Sequence, residues 1–198
     1  MPRVAGQIDP RKSEAILEAA TALFSERGGA VSMEEIARRA GVSKQTLYNR
    51  YASKAEIGRA LAARRSDAIT APLRTDGDPQ TVLTALAATL IDKICNVDKG
   101  ASLRGVALMS PEAPDIAQAI YEAGPGESVR RLAAWLEDQG RLGHLSVQDP
   151  VHAAEMFTGM ALGHGYLRAM LGVPQPAADI PARAAEVARR FVRAFSAT

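Results

Sequence analysis

Residues 33–54 read MEEIARRAGVSKQTLYNRYASK. Two short helix-forming runs flank the turn Ala40-Gly41-Val42-Ser43. Ser32-Met-Glu-Glu35 is a capping box that opens the first run, which extends to about Ala40. Gly41 breaks it, and Ser43 caps the second run, which extends to about Tyr51. A turn this short forces the second helix to cross the first steeply, the geometry of a helix-turn-helix. Ile36, Ala37, Ala40, Val42 and Leu47 are the small and aliphatic residues that would pack the pair. Lys44, Gln45, Thr46, Tyr48, Asn49 and Arg50 are left outside, a set of hydrogen-bond donors and acceptors with two positive charges. The first turn of a helix laid in the major groove meets base edges most directly. Lys44 and Gln45 occupy that turn; a Lys can donate to guanine and a Gln amide can pair with adenine. The hydroxyls of Thr46 and Tyr48, with Arg50 and Lys54, suit phosphate oxygens, which position without specifying sequence. Free N–H groups at the helix start near Ser43 favour phosphate too. On chemistry alone an ordinary surface hairpin stays open beside the DNA reading.

Charge points the same way. The net charge of +2 divides into +4 over residues 1–71 and −2 over residues 72–198. From Arg38 to Arg65 there are eight basic residues and one acid, Glu56. A basic block on a short segment is the electrostatic footprint of a nucleic-acid site.

Helix signals continue outward in both directions. Asp9-Pro10 caps a helix that carries Ile16, Ala20, Leu23 and Phe24 and stops at Gly28-Gly29. Ser53-Lys-Ala-Glu56 opens a helix to about Ala71. Thr70 to Asp78 reads as a linker, and Asp78-Pro79 and Asp149-Pro150 repeat the cap-plus-proline device. Gly124-Pro125-Gly126 reads as a helix breaker. The last helix, with Pro181 in its first turn, has an apolar stripe of Ile180, Ala184, Val187, Ala188, Phe191 and Phe195. From Pro150 to Tyr166 the only acid is Glu155, so that helix needs cover on more than one side. Gly159 and Gly163, four apart, would allow a close helix approach. Alternating β-type runs are absent, so the expected class is all-α.

Other classes find little support. At 198 residues, 47% hydrophobic and 23% charged, the composition is that of a soluble globular protein. No apolar run approaches the roughly 18 residues of a membrane helix. The start, MPRVAGQIDPRK, has no secretory apolar stretch, which makes the cytoplasm the expected location and a membrane an unexpected partner. The lone Cys95 reads as a small buried hydrophobe. There is no G-x-S-x-G elbow, phosphate loop or H-E-x-x-H pair, so no catalytic residue is expected. His152 and His164 lie about 18 Å apart along one helix and cannot share an ion within a chain. Neither metal nor cofactor is expected.

Residues 11–71 closely resemble the N-terminal domain of TetR-type bacterial regulators. AILEAATALF before the turn, SMEEIARRAGVSKQTLY across it and the SK of YASKAEI carry the resemblance. The turn Gly28-Gly29-Ala30-Val31 is one residue shorter than usual, and Tyr51 stands where Phe is usual. The resemblance implies that Lys44, Gln45 and Asn49 read bases. It implies that Thr46, Tyr48, Arg50 and Lys54 contact phosphate, helped by Ser32 and the Ser43 cap. Residues 114–125 (PDIAQAIYEAGP) and 141–154 (RLGHLSVQDPVHAA) resemble the C-terminal domain of the AefR-like subgroup. The implied organisation is a DNA-binding domain over residues 1–53, a connecting helix over 54–71 and a ligand-binding, dimerising domain over 72–198. The implied partners are a double-stranded, near-palindromic operator, a second copy held through residues 150–171 and 181–195, and a small hydrophobic inducer that releases the repressor. Candidate cavity residues are Leu90, Ile94, Leu103, Met109, Tyr121, Trp135, Phe157, Met160 and Tyr166. A helical scaffold or small-molecule-binding protein without DNA binding is the alternative, and it leaves the exposed Lys-Gln-Thr-Tyr-Asn-Arg set unexplained.

Overall fold

The computed structural model describes residues 9–95, 104, 106, 111, 113–177 and 179–196. Among them the elements are helical throughout, apart from one isolated bridge between Leu145 and Ser196. Helix α1 (Pro10–Arg27) starts on the Asp9 carboxylate, which accepts from the Arg11 amide at 3.0 Å, with Pro10 in its first turn. It ends where the Gly28 amide donates to Phe24. Helix α2 (Met33–Arg39) has the capping box in full. The Glu35 amide donates to Ser32 Oγ at 3.2 Å, and Glu35 Oε2 accepts from the Ser32 amide at 2.8 Å. Gly41 takes a φ of 65° in the turn that follows, a conformation only glycine reaches cheaply.

Helix α3 covers Lys44–Tyr48, shorter than the expected run to Tyr51. The Arg50 and Tyr51 amides both fold back onto the Leu47 carbonyl, so the chain leaves the helix in a turn. Helix α4 (Lys54–Ile69) starts on Ser53 Oγ, which accepts from the Glu56 amide at 3.3 Å. The expected linker is partly structured. Residues Ala71–Arg74 form a 3-10 turn, and Thr70 is buried with its hydroxyl donating to the Ser66 carbonyl at 2.8 Å.

Helix α5 (Pro79–Leu90) widens into a π-type turn at Ile91–Cys95. Helix α6 (Pro114–Tyr121) and helix α7 (Glu127–Arg141) are joined by a π-type turn, Glu122–Gly126. The Gly-Pro-Gly read as a breaker therefore lies inside a continuous helical path. A wide turn accommodates a proline that cannot donate its own hydrogen bond. Helix α8 (Pro150–Leu171) and helix α9 (Ile180–Ala194) close the chain, capped by Asp149 and Asp179.

Buried residues fall into two clusters. One holds Ile16, Leu17, Ala20 and Leu23 of α1 against Ile36, Ala37, Leu47 and Ile57. The other lies between α5, α7, α8 and α9, with Leu83, Leu86, Leu136, Phe157 and Phe191 among its members. The apolar stripe of α9 turns inward: Phe191 is fully buried and meets Phe157 edge-on, ring centroids 5.1 Å apart. Residue Gly163 departs from helical geometry. Its φ of 45° and ψ of −142° break α8 in the middle, and the Arg183 guanidinium of α9 donates to the carbonyls of Ala161 (2.9 Å) and Leu162 (3.2 Å) beside the break. The opposite side of α8 leaves Met160, Tyr166, Leu167 and Leu171 exposed.

The two clusters are joined by α4, which runs along α6 and α7 at close range. A Cβ added to Gly58 would lie 2.9 Å from Ile120, and one added to Gly124 would lie 3.2 Å from the Ala62 Cβ. Further along, the Ser66 and Ser128 hydroxyls share a hydrogen bond at 2.9 Å and Arg131 pairs with Asp67 at 2.5 Å. Small residues bring the backbones together, and polar pairs fix the register.

Candidate nucleic-acid interface

Helix α3 is anchored by one buried side chain, Leu47, and its flanks face solvent. Lys44, Gln45, Tyr48 and Asn49 are exposed; Thr46 and Arg50 are half-buried. Most of these polar groups are already held by a partner. Ser43 Oγ accepts from the Thr46 amide at 3.1 Å and shares a second bond with the Thr46 hydroxyl at 2.9 Å. The Gln45 amide nitrogen donates to Asn49 Oδ1 at 2.7 Å, one turn along. The Lys44 ammonium lies 3.3 Å from Glu34 Oε1 of α2. The Arg50 guanidinium donates to the Ser13 hydroxyl of α1. Side chains held this way lose less entropy when they meet a ligand.

The structure thus gathers Ser43, Lys44, Gln45, Thr46, Tyr48, Asn49 and Arg50 on one short element. Ser32 sits apart at the start of α2, its hydroxyl occupied with Glu35. Lys54 opens α4, half-buried in its first turn. Two partners escaped the sequence reading, Glu34 and Ser13. For Glu34 there was a usable signal. A capping box consumes the second glutamate of Ser-Met-Glu-Glu and leaves the first to face out.

Glu35 is the most perturbed carboxylate of this region. The Ser32 amide, then the Arg27 guanidinium and the Ser32 hydroxyl, hold its pKa down at about 2 against an ordinary 4.5. A lowered pKa adds stability that is fully present above 4.5 and fades as pH falls toward 2. Glu35→Gln is therefore expected to lower the unfolding midpoint at neutral pH, and the gap to the unaltered protein should close on acidification through that window. Thermal denaturation at stepped pH measures it; a gap constant with pH would contradict the assignment.

The candidate cavity residues separate into two groups. Leu90 and Phe157 are buried in the second core, with Ile94 and Trp135 packed against it. Tyr121, Met160 and Tyr166 are exposed, at 59%, 38% and 40% of their surface. Leu103 and Met109 lie outside the described residues. Among the described residues no helix is long and apolar enough to cross a membrane.

Comparison with known proteins follows the same division. A family model described as the C-terminal domain of an AefR-like transcriptional repressor matches residues 81–198, and one described as bacterial regulatory proteins, tetR family, matches residues 16–61. Over 58 residues the chain is 47% identical to the HTH-type transcriptional repressor KstR2 of Mycobacterium tuberculosis, covering 29% of this chain and 28% of that protein. Over 97 residues it is 37% identical to the HTH-type transcriptional activator FasR of Mycolicibacterium smegmatis, covering 46% of this chain and 44% of that one. The chain thus spans less than half the length of these curated relatives. Among solved structures, a TetR-family transcriptional regulator from Mesorhizobium loti superposes with a TM-score of 0.79 at 25% identity, covering 94% of this chain and 98% of that one. The flavonoid-responsive regulator FrrA superposes with a TM-score of 0.72 at 29% identity, covering 95% and 98%. With the C-terminal match spanning more than half of its length, the chain belongs to the TetR family of bacterial regulatory proteins.

Proposed function

We propose that this chain is a cytoplasmic, homodimeric transcriptional repressor that lays α3 in the major groove of a near-palindromic operator and is released by a small apolar ligand. One observation carries the DNA half of this reading. Helix α3 buries Leu47 and turns Lys44, Gln45 and Tyr48 outward as an exposed polar face, with Lys44 and Gln45 held by Glu34 and Asn49. Residues 1–53 serve as the DNA-binding domain, α4 as the connection and residues 72–198 as the ligand-binding and dimerising domain. Repression is favoured by the repressor-type C-terminal match and by the name of KstR2, although FasR is named an activator.

A second copy is expected against the exposed apolar face of α8. Because Phe191 and its stripe are consumed by the protomer's own core, the tests of assembly belong on α8. Leu167→Asp with Met160→Asp should convert a dimer into monomers and weaken operator binding, since operator half-sites mirror protein symmetry. Sedimentation at micromolar concentration measures it. A stable monomer of the unaltered protein would defeat the dimer reading.

The ligand half draws support from the name of FrrA and from the seam of α4 on α6 and α7. A ligand releases DNA only by preferring the form whose recognition helices are misplaced, and coupling of about 1–3 kcal/mol is typical. Motion in α7 and the turn before it would pass to α4 through the Ser128–Ser66 and Gly124–Ala62 contacts. A screen of apolar small molecules by thermal shift, followed by operator release, tests this. Ligands that raise stability yet never change operator affinity would end the induction model.

A further inference from the structure

We propose that Glu34 is a specificity-determining residue of the DNA site: it neutralises Lys44, so that this lysine reads guanine acceptors without adding to indiscriminate attraction for phosphate. The inference rests on α3 being the DNA-facing helix.

The placement follows from the local fold. Glu35 turns back to close the capping box and pairs with Arg27 at 2.5 Å. Glu34, one residue earlier, projects outward from the first turn of α2. The turn from Ala40 to Ser43 is closed by the Val42 amide on the Ala37 carbonyl at 3.0 Å. The start of α3 is thereby brought beside Glu34, whose carboxylate oxygen lies 3.3 Å from Lys44 Nζ. The two side chains are 47% and 67% exposed, and Gln45 and Tyr48, on α3 beside Lys44, are exposed too. Its own backbone amide and the Lys44 ammonium hold the Glu34 carboxyl below the usual range, so it is charged at neutral pH.

An exposed ion pair of this kind adds little to fold stability. Its effect on DNA is larger because it changes the charge presented to the helix. An ammonium has three N–H groups, and one spent on Glu34 leaves two for guanine O6 and N7. A base contact therefore keeps the pair intact. A phosphate contact gains far less. The pair has no net charge and releases no counterion, and the carboxylate repels the phosphate. Lys44 is thus useful on the right sequence and nearly silent on the wrong one.

The test compares the full-length protein with Glu34→Gln, Lys44→Gln and the double variant. Each is titrated by fluorescence anisotropy with its upstream intergenic DNA and with a scrambled duplex of equal length, over a series of salt concentrations. Glu34→Gln is expected to bind scrambled DNA several-fold more tightly. Its salt slope should steepen by about 0.9 for each protomer whose Lys44 takes a phosphate. The ratio of specific to scrambled affinity should fall, with the thermal midpoint nearly unchanged. The double variant restores the original charge, so its slope on scrambled DNA should return to that of the unaltered protein while the preference for the upstream DNA stays lost. An unchanged slope and ratio in Glu34→Gln would overturn the proposal while leaving α3 as the reader. Weaker binding to both DNAs with a lowered midpoint would also overturn it and assign Glu34 a structural role. If the unaltered protein showed no preference for its upstream DNA and Lys44→Gln changed neither affinity nor slope, the DNA reading itself would fall.

Discussion

Replacing Phe191 by alanine is expected to lower the unfolding free energy by about 3–5 kcal/mol. The side chain is fully buried in the core between α5, α7, α8 and α9. It meets Phe157 edge-on at 5.1 Å and lies 4.6 Å from the Phe195 ring, so truncation removes two ring contacts as well as apolar surface. The cavity left behind cannot collapse easily. The α9 backbone is held by Asp179 at its start and by Arg183 on the broken stretch of α8. Domains of this size hold about 5–15 kcal/mol in total, so the variant should fold marginally at physiological temperature. Phe195→Ala should cost less, because that ring is only half-buried. Urea denaturation measures both; a loss below about 1 kcal/mol at Phe191 would be at odds with a well-packed site.

Gln45→Ala and Lys44→Ala should each weaken operator binding by about 1–3 kcal/mol and relax the preference at the base each one reads. Random DNA should be much less affected by Gln45→Ala, since the amide contributes no charge. The hydrogen bond from Gln45 to Asn49 adds a further expectation. Asn49→Ala frees the Gln45 amide to rotate, so Gln45→Ala and the double change with Asn49 should fall short of additivity, as linked neighbours do. Tyr48→Phe and Lys54→Ala, assigned to phosphate, should weaken all sequences alike. Equal losses on operator and random DNA for Gln45→Ala would remove it from the base-reading set.

Much of this arrangement was legible in the sequence, because its decisive signals are local. The Ser32 capping box, the Asp-Pro starts of α1, α5 and α8, and Gly41 in the turn act within four residues of themselves. They place the helices, and the period of apolar residues then assigns the inner faces of α1 and α9. What was hidden depends on distant partners. The break at Gly163 exists because Arg183, twenty residues on, can satisfy the carbonyls it exposes. The Gly-Pro-Gly of residues 124–126 continues the helix as a wide π-type turn, with Gly124 set close against Ala62 of α4. Helix α8 is apolar all round, so periodicity could not separate Phe157, which faces the core, from Met160 and Tyr166, which face out. The capping box left Glu34 facing out but did not announce its pairing with Lys44 across the turn, and no spacing rule announces Ser13, which reaches Arg50 from α1.

DNA recognition is assigned to α3. Its most direct test is the affinity of the purified protein for the intergenic DNA upstream of its own coding sequence, measured beside a scrambled duplex at physiological salt, with Gln45→Ala as the control. Binding should be at least about a thousandfold tighter to the upstream DNA than to the scrambled duplex, the ratio expected for specific recognition. Gln45→Ala should cut that ratio while leaving the fold and the scrambled affinity intact. Equal affinity for the two duplexes, unchanged by Gln45→Ala, would contradict that assignment.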